Sequence, residues 1–348
     1  MIKINKRLIG KNKPPFLIAE MSANHQQSLK KAFKIIKQAS KCGVDAIKIQ
    51  TFTPENMTMN FNSGKFKISN SKSLWKGKNL YQLYKEACMP LNWIKPLFKY
   101  SQENNIICFS SIFDLDSITI LEKNNCPAYK IASFENNHFP LIDELAKLKK
   151  PLLISLGMAK LKEIEEIVNI CLKRGCNKII LLKCTSAYPA TEKDANVITI
   201  PYLRKHFNLE VGISDHTLGI GTSIAAVSHG ATVVEKHFIL DKKEGGLDSA
   251  FSLEPHDFKM LKEETTRAWL SLGSIKFGSS KNEKKSEIFR RSIYTAKDLK
   301  VGDLLSKKNI KIIRPGDGLH PKYFDKLIGK KVIKNIKKGK KMTWDVIR

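Results

Sequence analysis

The sequence predicts an α/β protein, a (β/α)8 barrel followed by a small, mostly β C-terminal domain. Short apolar runs rich in Ile and Val alternate with longer stretches of helical spacing, a pattern typical of parallel β/α units. Eight such units fill about 270 residues, which matches a closed TIM barrel better than an open doubly wound sheet. No GxGxxG motif follows the first strand, which argues against a dinucleotide-binding fold.

Each predicted strand is a short apolar run bounded by turn residues. The strands are expected at residues 16–20, 46–50, 106–110, 128–131, 152–155, 179–183, 210–213 and 233–238. Helical spacing predicts the connecting helices at residues 29–41, 91–104, 117–123, 141–148, 161–173, 200–205, 222–229 and 256–272. Gly43, Gly175 and Gly230 at helix exits, with Pro127 and Pro151 at strand entries, support these boundaries.

The chain is expected to divide into a barrel domain over residues 1–277, a polar linker over 278–289 and a small domain over 290–348. Short strand-like pieces in the tail are expected at residues 291–295, 301–303, 310–314, 331–333 and 340–343. A domain of this size has a marginal core, so we expect it to dock on the barrel or on a partner subunit. The long segment 53–90, between the second strand and its helix, is interpreted as a lid or a dimer arm.

The formal net charge of +28 would attract anionic partners. However, 53 lysines far outnumber 8 arginines, whereas base readout favours arginine, and the basic segment 330–341 contains no stacking aromatic residue. We therefore predict no nucleic-acid partner. No apolar run approaches the length of a membrane-spanning helix, and no signal-peptide pattern opens the chain, so we expect a cytoplasmic protein without membrane contact. The seven cysteines form no CxxC pair and are expected to be reduced and structural.

Two lysines lie inside apolar strands, at the end of the barrel where active sites are built. Lys48 stands within AIKI and Lys130 within AYKI. A buried ammonium group needs an anionic partner. With the serines of neighbouring strand ends, the two lysines suggest a phosphate cradle, and a structural ion-pair network is the alternative. The serines are Ser133, Ser155 and Ser214.

Two histidines, His216 and His237, end neighbouring strands and suggest a divalent-metal site. Glu20 and Asp215 are available as oxygen donors, and Asp215 and Glu235 are close enough in sequence to orient the imidazoles. This donor set suits Mn²⁺, Zn²⁺ or Fe²⁺ better than Ca²⁺. Five histidines are interpreted as structural, namely His138, His206, His229, His256 and His320. Cys184 is interpreted as a packing residue rather than a nucleophile.

A phosphate cradle and a metal site in one barrel mouth indicate a lyase or an aldol-type transferase that uses a small phosphorylated substrate. A metal-dependent aldolase or phosphosugar synthase is a second enzymatic reading of the same residues. A basic binding protein on a barrel scaffold is the non-enzymatic alternative, and it predicts salt-sensitive polynucleotide binding.

Short motifs coincide with the predicted strand ends. They are FLIAEMSANH (16–25), AIKIQT (46–51), AYKIASFE (128–135), KCTSAYP (183–189), GISDHT (212–217) and EKHF (235–238). The tail adds RSIY (291–294), RPGDG (314–318) and IGK (328–330). In this order, over essentially the whole chain, the motifs resemble the sialic acid synthases, and the tail resembles their C-terminal antifreeze-like (SAF) domain.

The resemblance implies a metal-dependent condensation of phosphoenolpyruvate with an amino sugar, which releases phosphate. Within the family, the opening AEMSANH and the RPGDGLHP of the tail resemble most the members that use a 2,4-diacetamido-2,4,6-trideoxy-altrose. N-acetylmannosamine and its diacetamido relative are the alternative sugars. The implied cofactor is a divalent ion, with Mn²⁺ expected and Mg²⁺ or Co²⁺ as alternatives. The implied assembly is a domain-swapped homodimer.

The resemblance also implies roles for individual residues. Lys48, Lys130 and the three serines would hold phosphoenolpyruvate, and the two histidines would hold the metal. The catalytic residues would be Glu20, Glu135 and Asp215. The sugar would contact Gln50, Tyr188 and Asp248, together with Arg314 from the second subunit.

Two positions depart from the family pattern. Leu156 stands where relatives usually carry Thr after Ser155, and Ile112 stands where Pro commonly follows the serine of the third strand. Both lie on the expected phosphate side of the site, so we expect them to affect affinity rather than to remove a ligand.

Overall fold

The computed structural model describes residues 1–69 and 75–348 and divides the chain into two units, Met1–Gly273 and Ser274–Arg348. The first unit opens with an antiparallel hairpin of β1 (Ile2–Ile4) and β2 (Arg7–Ile9). The barrel strands are β3 (Phe16–Glu20), β4 (Ala46–Thr51), β5 (Ile107–Ile112), β6 (Tyr129–Ile131), β7 (Leu152–Ser155), β8 (Ile179–Cys184), β9 (Glu210–Ser214) and β10 (Val233–His237). They pair in parallel in this order, and β10 pairs with β3 to close the ring. The predicted barrel is confirmed, whereas the domain boundaries at 277 and 290 stay a prediction.

Eight helices of the first unit correspond to the predicted ones, two of them with the predicted ends, whereas the helices at Pro54–Met57 and Leu80–Ala87 were not predicted. In chain order, the helices are α1 (Leu29–Lys41), α2 (Pro54–Met57), α3 (Leu80–Ala87), α4 (Ile94–Glu103), α5 (Asp116–Lys123), α6 (Phe139–Lys147), α7 (Leu161–Lys173), α8 (Thr199–Phe207), α9 (Gly221–Ser228) and α10 (Pro255–Leu272). Helix α1 begins where Ser28 accepts a hydrogen bond from the Lys31 amide at 3.3 Å, and Gly43 then turns the chain with a φ of 72°.

Strand register places the predicted site residues at one level of the barrel. Glu20 pairs with Lys48 on one side and with His237 on the other. Lys130 pairs with Ser111, and Ser214 pairs with Glu235. Because the strands are parallel, all of these residues lie at the carboxyl ends, where barrel enzymes build their sites.

The N-terminal hairpin was not predicted from the sequence. Its Ile4 and Ile9 are fully buried in the barrel core. Arg7 Nε donates to Asp45 Oδ1 at 2.7 Å, and Asp45 Oδ2 also accepts from the Leu17 amide at 2.8 Å. The hairpin is therefore fixed to the amino end of β3, opposite to the site.

The segment 53–90 is docked on the barrel in the part that the structure describes, and residues 70–74 of the predicted lid lie outside that part. The Gln27 amide donates to the carbonyl oxygen of Glu86 at 3.0 Å, which holds the end of α3. Trp75 Nε1 donates to the Leu247 carbonyl oxygen at 3.2 Å. Whether this segment moves as a lid or acts as a dimer arm stays a prediction.

The second unit contains an antiparallel pair of β11 (Ser292–Thr295) and β12 (Ile310–Ile313), with the short helix α11 (Phe324–Leu327). The pieces predicted at 301–303, 331–333 and 340–343 do not form strands. In and near them the structure has isolated β-bridges, such as Leu304 to Lys331. A small core includes the buried Ile293, Leu305 and Met342.

Within the described part of the chain, no helix has both the length and the apolar character needed to cross a membrane. The cytoplasmic location stays a prediction.

Replacing Gly212 with alanine is expected to lower the free energy of unfolding of the barrel by about 1–3 kcal/mol. A Cβ atom on Gly212 of β9 would lie 2.4 Å from the Val233 carbonyl oxygen, so the strand would have to shift. The matched control is Gly221→Ala, where a Cβ meets nothing within 4 Å. Urea unfolding followed by circular dichroism measures both variants, and equal midpoints would contradict the prediction.

Candidate active site

A cavity with an empty volume of about 1030 Å³, part of it open to solvent, lies at the carboxyl ends of the barrel strands. Twelve of the fourteen predicted site residues line it. They are Glu20, Lys48, Gln50, Lys130, Ser133, Glu135, Ser155, Tyr188, Ser214, His216, His237 and Asp248. Asp215 does not line it, and Arg314 follows β12 in the other unit, so its contact with the sugar stays a prediction.

The two buried lysines meet carboxylates of the chain itself. Lys130 Nζ lies 2.9 Å from Glu235 Oε1, and Lys48 forms an ion pair with Glu20 and lies 3.7 Å from the same Glu235 oxygen. Lys48 also donates to Ser111 Oγ at 2.6 Å. The ion-pair network that was the alternative interpretation therefore exists. Because its residues line a cavity, the phosphate cradle stays a prediction alongside it.

Burial and charge compete in this cluster. Burial opposes ionisation of Glu235, but the adjacent Lys130 and Lys48 outweigh it and lower the pKa of this carboxyl to about 2. For Glu20, burial outweighs the attraction of Lys48 and raises the pKa. Burial lowers the pKa of Lys130, and Glu235 offsets this only in part. Glu235 is the central anion of the cluster, a position that the sequence analysis did not assign to it.

The two histidines lie next to each other at the carboxyl ends of β9 and β10. Their ring centroids are 5.3 Å apart. His216 Nδ1 lies 3.1 Å from the Thr185 carbonyl oxygen, so this nitrogen carries a proton and Nε2 is the nitrogen that would bind a metal once it is deprotonated. Burial lowers the pKa of His216, but contact with Cys184 outweighs burial and raises it. His237 Nδ1 is buried without a hydrogen-bond partner, and the nearest carboxylate oxygen, Asp248 Oδ2, is 3.7 Å away.

These residues fit a divalent ion as an incomplete protein site. Burial and the neighbouring His216 hold the pKa of His237 well below its usual range, so its imidazole is neutral, the form that binds metal. No group of three or more His, Cys, Asp or Glu suited to a metal occurs among the described residues. An ion on the two imidazoles would therefore take its remaining ligands from water or substrate.

Asp215 requires a correction, because its side chain points away from the cavity. It accepts hydrogen bonds from the Thr217 amide at 2.9 Å and from Ser223 Oγ at 2.7 Å, and it pairs with Lys236 Nζ at 3.0 Å. Period-two alternation along the chain explains this placement, since Ser214 and His216 point inward and the residue between them points outward. Asp215 therefore holds the loop that follows β9 and does not reach a substrate.

The three predicted serines line the cavity, and one of them, Ser133, lies close to the backbone of Gly157. Gly157 N donates to Ser133 Oγ at 3.2 Å, and a Cβ on Gly157 would lie only 2.2 Å from Ser186 Oγ. Ser155 Oγ is buried without a partner, while Ser214 Oγ donates to Glu235 Oε1 at 3.1 Å. Hydroxyl groups are thus available beside the lysines.

Glu135 lies in the same cavity and is held partly neutral. Burial raises the pKa of its carboxyl to about 7, and Lys130 and Lys48 counteract this only weakly. Its Oε2 atom is buried without a hydrogen-bond partner. Elsewhere in the cavity, Gln50 Nε2 donates to Glu20 Oε1 at 3.0 Å, and the rings of Tyr188 and His216 are tilted against each other with centroids 4.6 Å apart.

Two features of the cavity were missed by sequence reasoning. Cys184, assigned to packing, lines the cavity with its Sγ 3.8 Å from His216 Nδ1. Burial raises the pKa of this thiol, but contact with His216 outweighs burial and lowers it to about 7. The second feature is an apolar wall, which we define by five residues. They are Phe52, Met57, Leu83, Tyr84 and Phe113.

The two departures from the family pattern lie outside the cavity lining. Ile112 is the last residue of β5 and is fully buried in the core. Leu156 is buried directly after β7. Both side chains therefore pack in the barrel core.

Comparison with known proteins identifies both units. The sequence profile described as the NeuB family matches residues 35–277, and that of the SAF domain matches residues 290–348. The chain is 43% identical to pseudaminic acid synthase of Campylobacter jejuni over 328 residues, covering 94% of this chain and 95% of the relative. It is 38% identical to pseudaminic acid synthase of Helicobacter pylori, covering 96% and 98%. The crystal structure of N-acetylneuraminic acid synthetase from Leptospira borgpetersenii superimposes with a TM-score of 0.73 at 31% identity, covering 82% of this chain and 94% of that chain.

Proposed function

This chain belongs to the NeuB family and carries a SAF domain, and from that membership we propose that it is a pseudaminic acid synthase. The coarser activity is that of a sialic acid synthase-type transferase, which condenses phosphoenolpyruvate with an amino sugar. The finer proposal names the sugar as 2,4-diacetamido-2,4,6-trideoxy-β-L-altropyranose. The observation that most supports the condensation reaction is the buried pair Lys48 and Lys130, which lies beside His216 and His237 in one cavity.

In the proposed reaction, Lys48 and Lys130 bind the anionic groups of phosphoenolpyruvate, and the hydroxyls of Ser133, Ser155 and Ser214 donate to them. The C3 carbon of phosphoenolpyruvate forms a bond with the aldehyde carbon of the open-chain sugar. Water then adds at C2, and phosphate leaves as the bond between C2 and the bridging oxygen breaks.

Protons are moved by the carboxyl groups of the cavity. The aldehyde oxygen gains negative charge as the carbon–carbon bond forms, and we assign its protonation to Glu135, which is partly protonated at neutral pH. Glu20 lies against Lys48 and orients Gln50, and we propose that it accepts a proton from the water that adds at C2. A divalent ion on His216 and His237, expected to be Mn²⁺ with Mg²⁺ or Co²⁺ as alternatives, would supply Lewis-acid polarisation of the sugar aldehyde.

The activity is tested by incubating the protein with phosphoenolpyruvate, Mn²⁺ and three sugars in parallel. The altrose derivative is expected to release inorganic phosphate and to give a thiobarbiturate-positive product. N-acetylmannosamine and its 2,4-diacetamido relative are the other sugars, because an N-acetylneuraminic acid synthetase shares this fold. Phosphate release only with one of these would reassign the substrate. No release with any sugar would contradict the proposed reaction.

The pH dependence of catalysis is expected to follow Glu135. If this carboxyl donates a proton, the active form is the protonated one, so kcat/KM should fall about tenfold per pH unit above a pKa of about 7. The Glu135→Gln variant is expected to lose most of its turnover and this limb of the profile. If kcat/KM of Glu135→Gln still falls above the same pH, the titrating group is not Glu135.

We further propose that the enzyme is a domain-swapped homodimer in which Arg314 of one subunit contacts the sugar in the barrel of the other. Arg314→Ala is then expected to raise KM for the sugar about 10- to 100-fold, as loss of a charged hydrogen bond implies. Mixing this variant with Lys130→Met should restore activity, because a hybrid dimer contains one intact site. No recovery after subunit exchange would mean that each tail serves its own barrel.

A further inference from the structure

The apolar wall occupies one side of the cavity. Phe52 and Phe113 follow β4 and β5, while Met57 ends α2 and Leu83 lies on α3. Phe52 contacts Phe113 edge to face with ring centroids 5.1 Å apart, and it contacts Tyr84 in the same manner at 6.0 Å. Phe52 is 2% exposed and Leu83 is 8% exposed, so the wall is a packed surface and not a loose loop.

Strand order places the part of this wall that follows β5 across the barrel from His216. In the closed ring, β5 is four strands away from β9, which precedes His216, and three strands away from β10, which ends in His237. His216 follows β9, so the phenylalanine after β5 lies on the opposite side of the mouth. A sugar whose aldehyde carbon lies at the histidines therefore extends its distant carbons toward the wall.

The chemistry of the wall favours an apolar substituent. Among its five residues, only the Tyr84 hydroxyl can form a hydrogen bond. A hydroxyl group of the substrate that loses its water here without a partner is destabilised, whereas a methyl group gains from burial. Gln50, a predicted sugar contact, already donates a hydrogen bond from Nε2 to Glu20 Oε1.

We propose that the apolar wall binds the methyl group at C6 of a 6-deoxy amino sugar and thereby selects it over a sugar with a C6 hydroxyl. This inference rests on the proposed function, since it assumes that an amino sugar aldehyde reacts at the histidine side. The proposal assigns substrate selection to Met57 and Leu83. Both belong to the segment 53–90, which contributes no residue to the proposed bond-forming steps.

The test compares two substrates that differ only at C6. They are the 2,4-diacetamido-2,4,6-trideoxy-altrose and its counterpart that keeps the C6 hydroxyl. Wild type is expected to prefer the deoxy sugar in kcat/KM by about 10- to 100-fold, the range that apolar pockets achieve. Met57→Gln and Leu83→Asn, which keep the side-chain size but add an amide, are expected to reduce this preference about tenfold without changing KM for phosphoenolpyruvate.

A matched variant controls the experiment. Met59→Gln makes the same change at a residue that is 67% exposed and does not line the cavity, and it should keep the wild-type preference. Circular dichroism checks the fold of Leu83→Asn, and Met57→Gln changes a half-buried residue if Leu83→Asn does not fold.

The outcomes separate the two proposals. An active wild type without preference, an equal loss on both sugars in Met57→Gln, or loss of the preference in Met59→Gln would overturn the role of the wall and leave the reaction intact. If the wild type releases no phosphate from phosphoenolpyruvate with either of these sugars or with N-acetylmannosamine, the proposed function itself is overturned.

Discussion

Replacing Lys130 with methionine is expected to raise KM for phosphoenolpyruvate by roughly 100- to 1,000-fold, or about 3–4 kcal/mol, because the bound anion would lose a buried charged partner. Lys130 is 2% exposed and is the closest cation to Glu235. Without it, Glu235 keeps only Lys48 at 3.7 Å, so a carboxylate would repel the incoming phosphate. Steady-state kinetics with varied phosphoenolpyruvate at saturating sugar measures the effect.

The control for this variant is Lys123→Met, which makes the same change at an exposed residue that ends α5. We expect Lys130→Met also to lower the free energy of unfolding, so its fold must be checked by circular dichroism. A folded Lys130→Met protein with an unchanged KM for phosphoenolpyruvate would show that the lysines only balance the buried carboxylates. That result would favour the structural ion-pair network over the phosphate cradle.

Replacing His237 with alanine is expected to reduce turnover by at least about 1,000-fold, since a metal that polarises a carbonyl contributes several kcal/mol. The buried Nδ1 atom of His237 has no hydrogen-bond partner among the described residues, and the neighbouring His216 is the other candidate ligand. Chelation of the wild type should produce the same loss, and Mn²⁺, Mg²⁺ and Co²⁺ can then be compared for recovery.

Metal content gives a readout that does not depend on turnover. After dialysis against Mn²⁺, elemental analysis should find the ion in wild type and a strong reduction in His237→Ala. His256→Ala, at the beginning of α10 and outside the cavity lining, is the matched control and should keep both metal and activity. Full activity of the wild type in chelator would exclude the proposed metal role.

Much of the site could be predicted because an ionisable residue inside an apolar strand has few explanations. Lys48 and Lys130 stood out in this way, and the structure places both in the cavity. The same reasoning offered Asp215 as an oxygen donor for the metal site, because it treated every polar residue at a strand end as inward-facing. Strand alternation separates them. Glu235 and His237 share the inner face of β10, whereas Lys236 between them points outward to Asp215.

The apolar wall could not be predicted, for a different reason. Its residues come from two strand ends and from a segment that does not belong to the repeating β/α pattern, so no periodicity links them. The N-terminal hairpin was missed for a similar reason, since three-residue strands give too few alternating positions to be recognised. Long-range packing alone brings such pieces together.

The helices α2 and α3 lie between β4 and α4, and none of the hydrogen bonds that close the barrel passes through them. Sequence changes in this segment can therefore accumulate without weakening the ladder that keeps the lysines and histidines in place. On the proposed role of Met57 and Leu83, the sugar preference can therefore change through this segment while the residues that would bind phosphoenolpyruvate stay in place on the barrel strands.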